Sequence, residues 1–420
     1  MKRILMRAQM SPFDNYGIAD IVEKNTIGNN LGNLLFPHGI ARTLMTEDTQ
    51  IDTVRFTKRF TPSQIQEINE NYDMLVLPFA NAFRISFIKE LKNVTEVVRR
   101  LKIPCVVIGA GFQASLDQEL SNKELASAVQ KFVKAVLKKS DSLGLRGERT
   151  ARYLKRLGFV EERDFTVIGC PSMFTYGKEL PKISHKALTP SSKVSMNSKI
   201  SLPGNFQSFM ERSAAELPDH YYIPQVIEEI SMMSSGVPLP KKFAPKPPKN
   251  FPADLTHRIY QEDRGITFTN VTAWLHFLGK LDFSFGSRIH GNIAAILAGI
   301  PAYVLVSDQR ILELVEYHHI PHSMLSDITD QTSIFDLYEK TDFDSIYQGH
   351  EQRFLHYLDF LNKNGVPHIW DSNGEAEHIW FDDKLAEIDF QPEVHSFFHV
   401  SMEEQIRRMD AAYRRYRGGK

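Results

Sequence analysis

Short apolar runs alternate along the first half of this chain with stretches whose apolar positions recur every three or four residues. "RILMRA", "DMLVLPFAN" (Asp73–Asn81), Pro104–Ile108, Leu143–Leu145 and "TVIG" are brief and apolar almost throughout. That pattern predicts strands buried on both faces rather than strands with one wet side. Between them, Val94–Leu101 and Glu148–Leu157 carry the helical period, and "NTIGNNLGNLLFPHGIARTL" predicts a Gly/Asn-rich turn running into a helix. Strand, helix, strand at this spacing is the grammar of a parallel sheet covered by helices. The alternation dissolves into Pro, Lys, Ser and Thr from Leu180 to Lys193, resumes at "KVSMNSKIS", and runs to about Asp344. The last 75 or so residues are helical in pattern. The expected organisation is therefore a Rossmann-like domain at 1–183, a second at 193–344, and a helical extension at 345–420.

Two segments in this layout stand out. Residues 237–252, within "SSGVPLPKKFAPKPPKNFPADL", carry too many prolines for helix or strand and predict a surface loop of the second domain. In "SMEEQIRRMDAAYRRYRGGK", Ser401 and Glu404 have capping-box spacing, and Met402, Ile406, Met409, Tyr413 and Tyr416 form one apolar stripe. The expectation is a helix docked on the body by that stripe with its arginines in water. A basic face at anionic lipid, hence at most peripheral membrane contact, is the alternative.

Composition narrows the class. At 420 residues the chain exceeds one ordinary core. Its 42% hydrophobic and 24% charged residues belong to a globular protein, and a net charge of −1 gives no global attraction to nucleic acid. The N-terminus has Arg7 and Gln9 where a signal peptide needs continuous apolar residues. The longest apolar run, Ile293–Val306, is interrupted by Gly299 and Pro301. A cytoplasmic protein is the expectation, with Cys105 and Cys170 as buried thiols rather than a disulfide.

The candidate chemistry lies where strands give way to helices. In "DFSFGSRIHGNIAAILAGIPAYVLVSDQRILEL", an apolar strand ends at Gly286 and Ser287. Arg288 and His290 follow at the start of a small-residue helix, Gly299 stops it, and "IPAYVLV" is the next strand. Arg310 repeats the position after that strand, and Arg146 does so in the first domain. Strand carboxyl ends facing helix amino ends are where open α/β sheets bind ligands, and the helix termini favour anions. Guanidinium forks match carboxylate or phosphate oxygens, so two domains presenting arginine this way point to a small polyanion. His290 supplies a proton donor or acceptor beside it. Structural ion pairs remain open for these arginines, Asp308 with Arg310 and Glu148 with Arg146. His318, His319 and His322 in "EYHHIPH" lack cysteines nearby, so a solvated helix end is expected there and no metal site.

These same motifs resemble the polysaccharide pyruvyl transferase family. "GSRIHGNIAAILAGIPAYVLVSDQRILEL" carries Arg-x-His, the small-residue helix, Gly-x-Pro and Asp-x-Arg-x-x-Glu-Leu. "LGLRGERTARYLKRLGF" with "TVIGCPSMF", and "NTIGNNLGNLL", are similar to the family's first-domain signatures, with "IPCVVIGAGF" between them. The resemblance spans about Asn25 to Leu314. It departs at Asn33, where many members carry Asp, and at "FANAFR", which replaces a glycine-rich turn. It implies a glycosyltransferase-B-like pair of Rossmann domains around a cleft, with phosphoenolpyruvate as co-substrate and no cofactor. A sugar diol of a surface polysaccharide, or of its lipid-linked precursor at the inner membrane face, would be the acceptor, and the product a cyclic pyruvate ketal with release of phosphate. Arg288 with Arg146 or Arg310 would then hold the donor's two anionic groups, with Gly286, Ser287 and Ser172 nearby, and His290 would be the acid or base. Asn29, Asn30 and Asn33 would meet acceptor hydroxyls, unless they only shape a turn. A nucleotide-sugar glycosyltransferase and a non-catalytic anion-binding protein of the same architecture are the rival readings.

Overall fold

In the computed structural model, residues 1–56, 59–113, 122–200, 204–241 and 251–417 are described. Most of the proline-rich 237–252 segment, residues 242–250, lies outside them. The first sheet takes the apolar runs in the order β2 (Thr49–Val54), β1 (Lys2–Arg7), β3 (Met74–Pro78), β4 (Cys105–Ile108), all parallel. Ala110 bridges in parallel to Leu145 and carries the layer on to the β5 (Leu143–Leu145) and β6 (Phe165–Val167) pair. The second sheet is also parallel, with β7 (Val194–Asn197), β8 (Tyr221–Tyr222), β9 (Phe283–Gly286), β10 (Ala302–Val306) and β11 (His322–Met324) in the order β11-β10-β9-β7-β8. β3, β4, β9 and β10 are buried at every position, which accounts for their unbroken apolar runs. The result is the expected pair of parallel α/β domains.

Three connections bring the domains together. The Asn25–Asn33 turn leaves the first domain and reaches the second, where Leu31 N–H donates to Gln225 O and Ile227 N–H donates to Asn29 O. The helix His350–Lys363 returns to the first domain and packs Phe354, Tyr357 and Phe360 beneath β1, β3 and β4. The C-terminal helix Met402–Arg417 lies against Ile18–Lys24 of the first domain and Ile227–Ser235 of the second.

That last helix corrects the sequence expectation. Met402, Ile406, Met409, Tyr413 and Tyr416 are exposed, and Arg408, Ala411 and Ala412 form the docked face. Alanines let the helix approach closely, and Arg408 is satisfied by Glu404 and the His395 carbonyl. Among the described residues no helix is long and apolar enough to cross a membrane. Cys105 and Cys170 are buried free thiols.

Candidate active site

β9 ends in a glycine for a steric reason. Gly286 has φ +142°, and a Cβ there would lie 1.8 Å from Asn197 O. The two strand ends can therefore close, and Asn197 organises the turn that follows. Its carbonyl accepts from Ser287 N–H at 3.1 Å, and its Oδ1 accepts from Arg288 N–H at 2.8 Å. Ser287 Oγ in turn accepts from Lys199 N–H. The helix Ile289–Leu297 starts here, with Arg288 as its cap residue and His290 in its first turn. After β10, Asp308 caps the helix Gln309–His318 and places Arg310 in the same way.

These turns face a cavity of about 310 Å³ between the domains. Among the described residues five cations line it, Arg84, Arg146, Lys199, Arg288 and Arg310, together with Ser287, His290, Asn29, Asn33 and Gln225, and no carboxylate does. The carboxylates stand behind the wall. Asp308 binds Arg310 through two contacts of 3.1 and 2.8 Å and Lys199 at 2.9 Å, which holds its acid well below the usual carboxylate range despite burial. Glu229 is fully buried and accepts from Arg288 Nη2 at 3.3 Å. Burial pushes this acid up to about 7 against the pull of Arg288. Arg288 also donates from Nε to Ser198 O. Arg288 and Arg310 are thus held at the cavity by partners that occupy only part of each guanidinium.

Arg146 is almost wholly buried, and burial depresses its pKa. The first-domain motif meets the second-domain motif at this point. Thr150 donates its N–H and its hydroxyl to the Glu313 carboxylate at 3.0–3.1 Å. Burial pushes Glu313 up to about 7, with Arg146 opposing. Of the two ion pairs left open, Glu148–Arg146 does not form among the described contacts, and Asp308–Arg310 does. Asn81 lies between Arg146 and Arg310. Its Oδ1 is 3.3 Å from Arg146 Nη1, and with the amide turned over it accepts from Arg310 Nη1 at 2.5 Å instead.

His290 is pushed down to about 3, first by burial and then by Arg146 and Arg310, so its imidazole is neutral near pH 7. Its Nε2 sits 3.9 Å from Cys170 Sγ, and its ring is 6.0 Å from that of Phe36. Gly32 lies directly against it, and a Cβ there would come 2.8 Å from His290 Cβ. The glycine of the Asn-x-Gly turn is the clearance His290 needs.

Other expected residues have different places. Ser172 is fully buried behind Cys170 and does not line the cavity, and Gly286 shapes the turn without lining it. Asn33 reaches the cavity wall but spends its amide on Ile27 O and Gly28 O, and Asn30 caps the short 3₁₀ turn Leu31–Leu34. Asn29 adopts φ +73° and pairs with Asn25. The turn-shaping role thus accounts for the amides of Asn30 and Asn33. His318 is not a solvated helix end. It is completely buried, its pKa is pushed well below the ordinary value, and its Nε2 accepts from Cys170 N–H at 2.8 Å. Among the described residues no cluster of three or more metal-ligating side chains exists. Lys199 and Glu229 lie outside the quoted family motifs, and Glu313 and Gly32 lie inside them without a role assigned from the sequence. A glutamate inside the apolar "IPQVIEEISMM" was the one signal for Glu229.

A second pocket of about 340 Å³ continues from the first over Gly28, Asn29, Asn33, Ala80, Asn81 and Arg84. Arg7, Arg55 and Lys24 add positive charge to it, Glu90 is its acid, and Phe36, Phe56, Phe79 and Phe87 line it. Arg7 lies over the Phe79 ring at 4.7 Å, and burial with Arg84 pushes it down to about 10.

The polysaccharide pyruvyl transferase family model matches residues 30–309, and the chain belongs to that family. No curated protein matches the chain. Among solved structures it is similar to a putative UDP-N-acetylglucosamine 2-epimerase from Listeria monocytogenes, at 12% identity over 85% of this chain and 95% of that one, with a TM-score of 0.46. It is also similar to Anabaena Alr3699/HepE in complex with UDP, at 13% identity over 87% and 98%, TM-score 0.44. A third is an uncharacterized protein, KP1_0663, from Klebsiella pneumoniae, at 10% identity over 77% and 92%, TM-score 0.39.

Proposed function

We propose that this pyruvyl transferase uses phosphoenolpyruvate as donor and converts a sugar diol into a cyclic pyruvate ketal, releasing phosphate. The observation that carries the reading is the wall around His290, which among the described residues has five cations and no carboxylate. Phosphoenolpyruvate brings a carboxylate and a phosphate a few bonds apart and needs two anion sites at that range. Arg288 at the head of the Ile289–Leu297 helix serves one group, and Arg146 with Arg310 the other.

The neutral imidazole of His290 gains a proton as the donor's negative charge arrives, then delivers it to the methylene carbon. C2 becomes oxocarbenium-like. One acceptor hydroxyl adds there and returns its proton to His290. The C2–O bond to phosphate breaks, with the electron pair leaving on phosphate, and the second hydroxyl closes the ring as its proton is lost to the departing group. Of the two hydroxyl protons, one is balanced by that on the methyl carbon and one by that on phosphate. The arginines stabilise the phosphate as it leaves. The adjoining pocket, with its phenylalanines and its Arg7 and Arg84, is where we seat the acceptor, free or lipid-linked.

Calorimetric titration with phosphoenolpyruvate, with UDP- and GDP-sugars as controls, tests the donor. Binding in the micromolar to millimolar range, weakened at least tenfold by Arg288→Ala in a variant of unchanged circular dichroism, is expected. Heat from a nucleotide-sugar and none from phosphoenolpyruvate would overturn the reading.

A further inference from the structure

The outward stripe of the C-terminal helix has the spacing and flanking charges of a helix seam. Met402, Ile406, Met409, Tyr413 and Tyr416 follow one another in steps of four, three, four and three residues and are 37–76% exposed. They account for five of the eleven exposed large hydrophobic residues among those described. The opposite face is already used: Ala411 and Ala412 are buried, Arg415 donates to Val22 O, and Arg414 is 3.5 Å from Glu23. The stripe therefore contributes nothing to the fold of one chain. An apolar repeat of alternating four and three residues is what one helix presents to another.

We infer that this face is a self-association surface on which the same helix of a second copy lies antiparallel. The argument is charge complementarity. Along one flank of the stripe, at intervals of seven, stand Glu403, Asp410 and Arg417. Antiparallel pairing centred near Met409 sets Met402 against the partner's Tyr416 and Ile406 against the partner's Tyr413. The same register sets Glu403 against the partner's Arg417, twice by symmetry, and Asp410 against the partner's Asp410 at the two-fold axis, so two opposite-charge contacts outweigh one like-charge contact. The other flank carries Gln405 and the small Ala412, which permit close approach. Such a contact is isologous and closes after two copies. A membrane surface fits less well, because Glu403 and Asp410 flank the stripe on its exposed side and would meet anionic lipid. One 16-residue helix spans about 24 Å, so the seam buries less than the roughly 800 Å² per partner of a standard interface. The dimer is accordingly reversible, forming over roughly 1–100 µM.

Sedimentation velocity on the full chain tests this across that range. Wild type should pass from monomer to dimer. Ile406→Asp with Met409→Asp should stay monomeric without loss of melting temperature, since neither side chain is packed. Glu403→Arg and Arg417→Glu should each weaken self-association at least tenfold, and a mixture of the two should associate again, because an antiparallel pairing restores both ion pairs. A wild type that stays monomeric throughout overturns the proposal. So does a mixture that fails to recover. Flotation of wild type with phosphatidylcholine–phosphatidylglycerol vesicles, lost in the Ile406→Asp, Met409→Asp variant while self-association stays absent, would assign the stripe to lipid instead.

Discussion

If His290 is the proton carrier, donor binding must load it. In the empty cavity its pKa is pushed down to about 3 by burial, Arg146 and Arg310. At neutral pH only about one imidazole in 10⁴ is then protonated, and charging it costs about 5 kcal/mol. A unit negative charge placed about 4 Å away, at an effective dielectric near 20, contributes about 4 kcal/mol, or about 3 pK units. A phosphate with a carboxylate brings more than one such charge, and both also neutralise the arginines that hold the pKa down. The bound-state value therefore rises to near neutrality or above. Calorimetric titration with phosphoenolpyruvate, in paired buffers of different ionisation enthalpy, counts the protons taken up. The ligand's own phosphate ionises near pH 6, so the informative quantity is the difference between wild type and His290→Gln. Near pH 6 wild type should take up close to one proton more per ligand bound, and the excess should shrink as pH rises past the bound-state pKa. Equal uptake in both proteins at every pH would refute the coupling of donor binding to proton loading.

Three further expectations come from the same contacts. Gly32→Ala places a Cβ 2.8 Å from His290 Cβ, so kcat should fall by about one to two orders of magnitude, with donor affinity little changed; a fall in affinity alone would contradict it. Thr150→Val takes a buried hydroxyl from the Glu313 carboxylate and should cost about 1–3 kcal/mol in denaturant unfolding, against near neutrality for Thr150→Ser. Glu229 has its folded-state pKa raised from 4.5 to about 7, so its contribution is present in full below pH 4.5 and is lost as pH rises through about 7. The stability of Glu229→Gln relative to wild type should therefore move in the variant's favour by about 3 kcal/mol between those limits, and an unchanging difference would contradict the assignment.

What could be read from the sequence is what local rules govern. β9, the small-residue helix and β10 follow from an apolar run, a stopping glycine and a second run, and the arginines fall at their junctions because those junctions are fixed by chain direction. The partners of those arginines were not legible, because they come from distant segments. Glu229 is 59 residues from Arg288, and Glu313 is 163 from Thr150. The role of Gly32 was hidden for the same reason, since its neighbour His290 belongs to the other domain. The C-terminal stripe failed differently. Its periodicity correctly marks an amphipathic helix, but periodicity does not say which face the body covers. Ala411, Ala412 and a neutralised Arg408 made the polar side the better fit against Ile18–Lys24.

The two motifs that look separate along the chain are one structure at the domain joint. Glu313, from the helix that carries Arg310 in its first turn, holds Thr150 at the head of the helix that follows Arg146. Its carboxylate also lies against Gly147, where a side chain would collide with it. The acid that fixes the first-domain helix therefore also offsets the buried charge of Arg146 from behind, leaving the front of that guanidinium for the cavity. The same division recurs at Arg288 with Glu229 and at Arg310 with Asp308. Arg288 and Arg310 are each held by one carboxylate, and the buried charge of Arg146 is offset by Glu313 without a direct ion pair. Burial first, and neighbouring cations after it, depress the pKa values of Arg84, Arg146, Lys199 and His290. On the proposed function, a ligand with negative charge at both ends would offset part of that burial cost at all four groups.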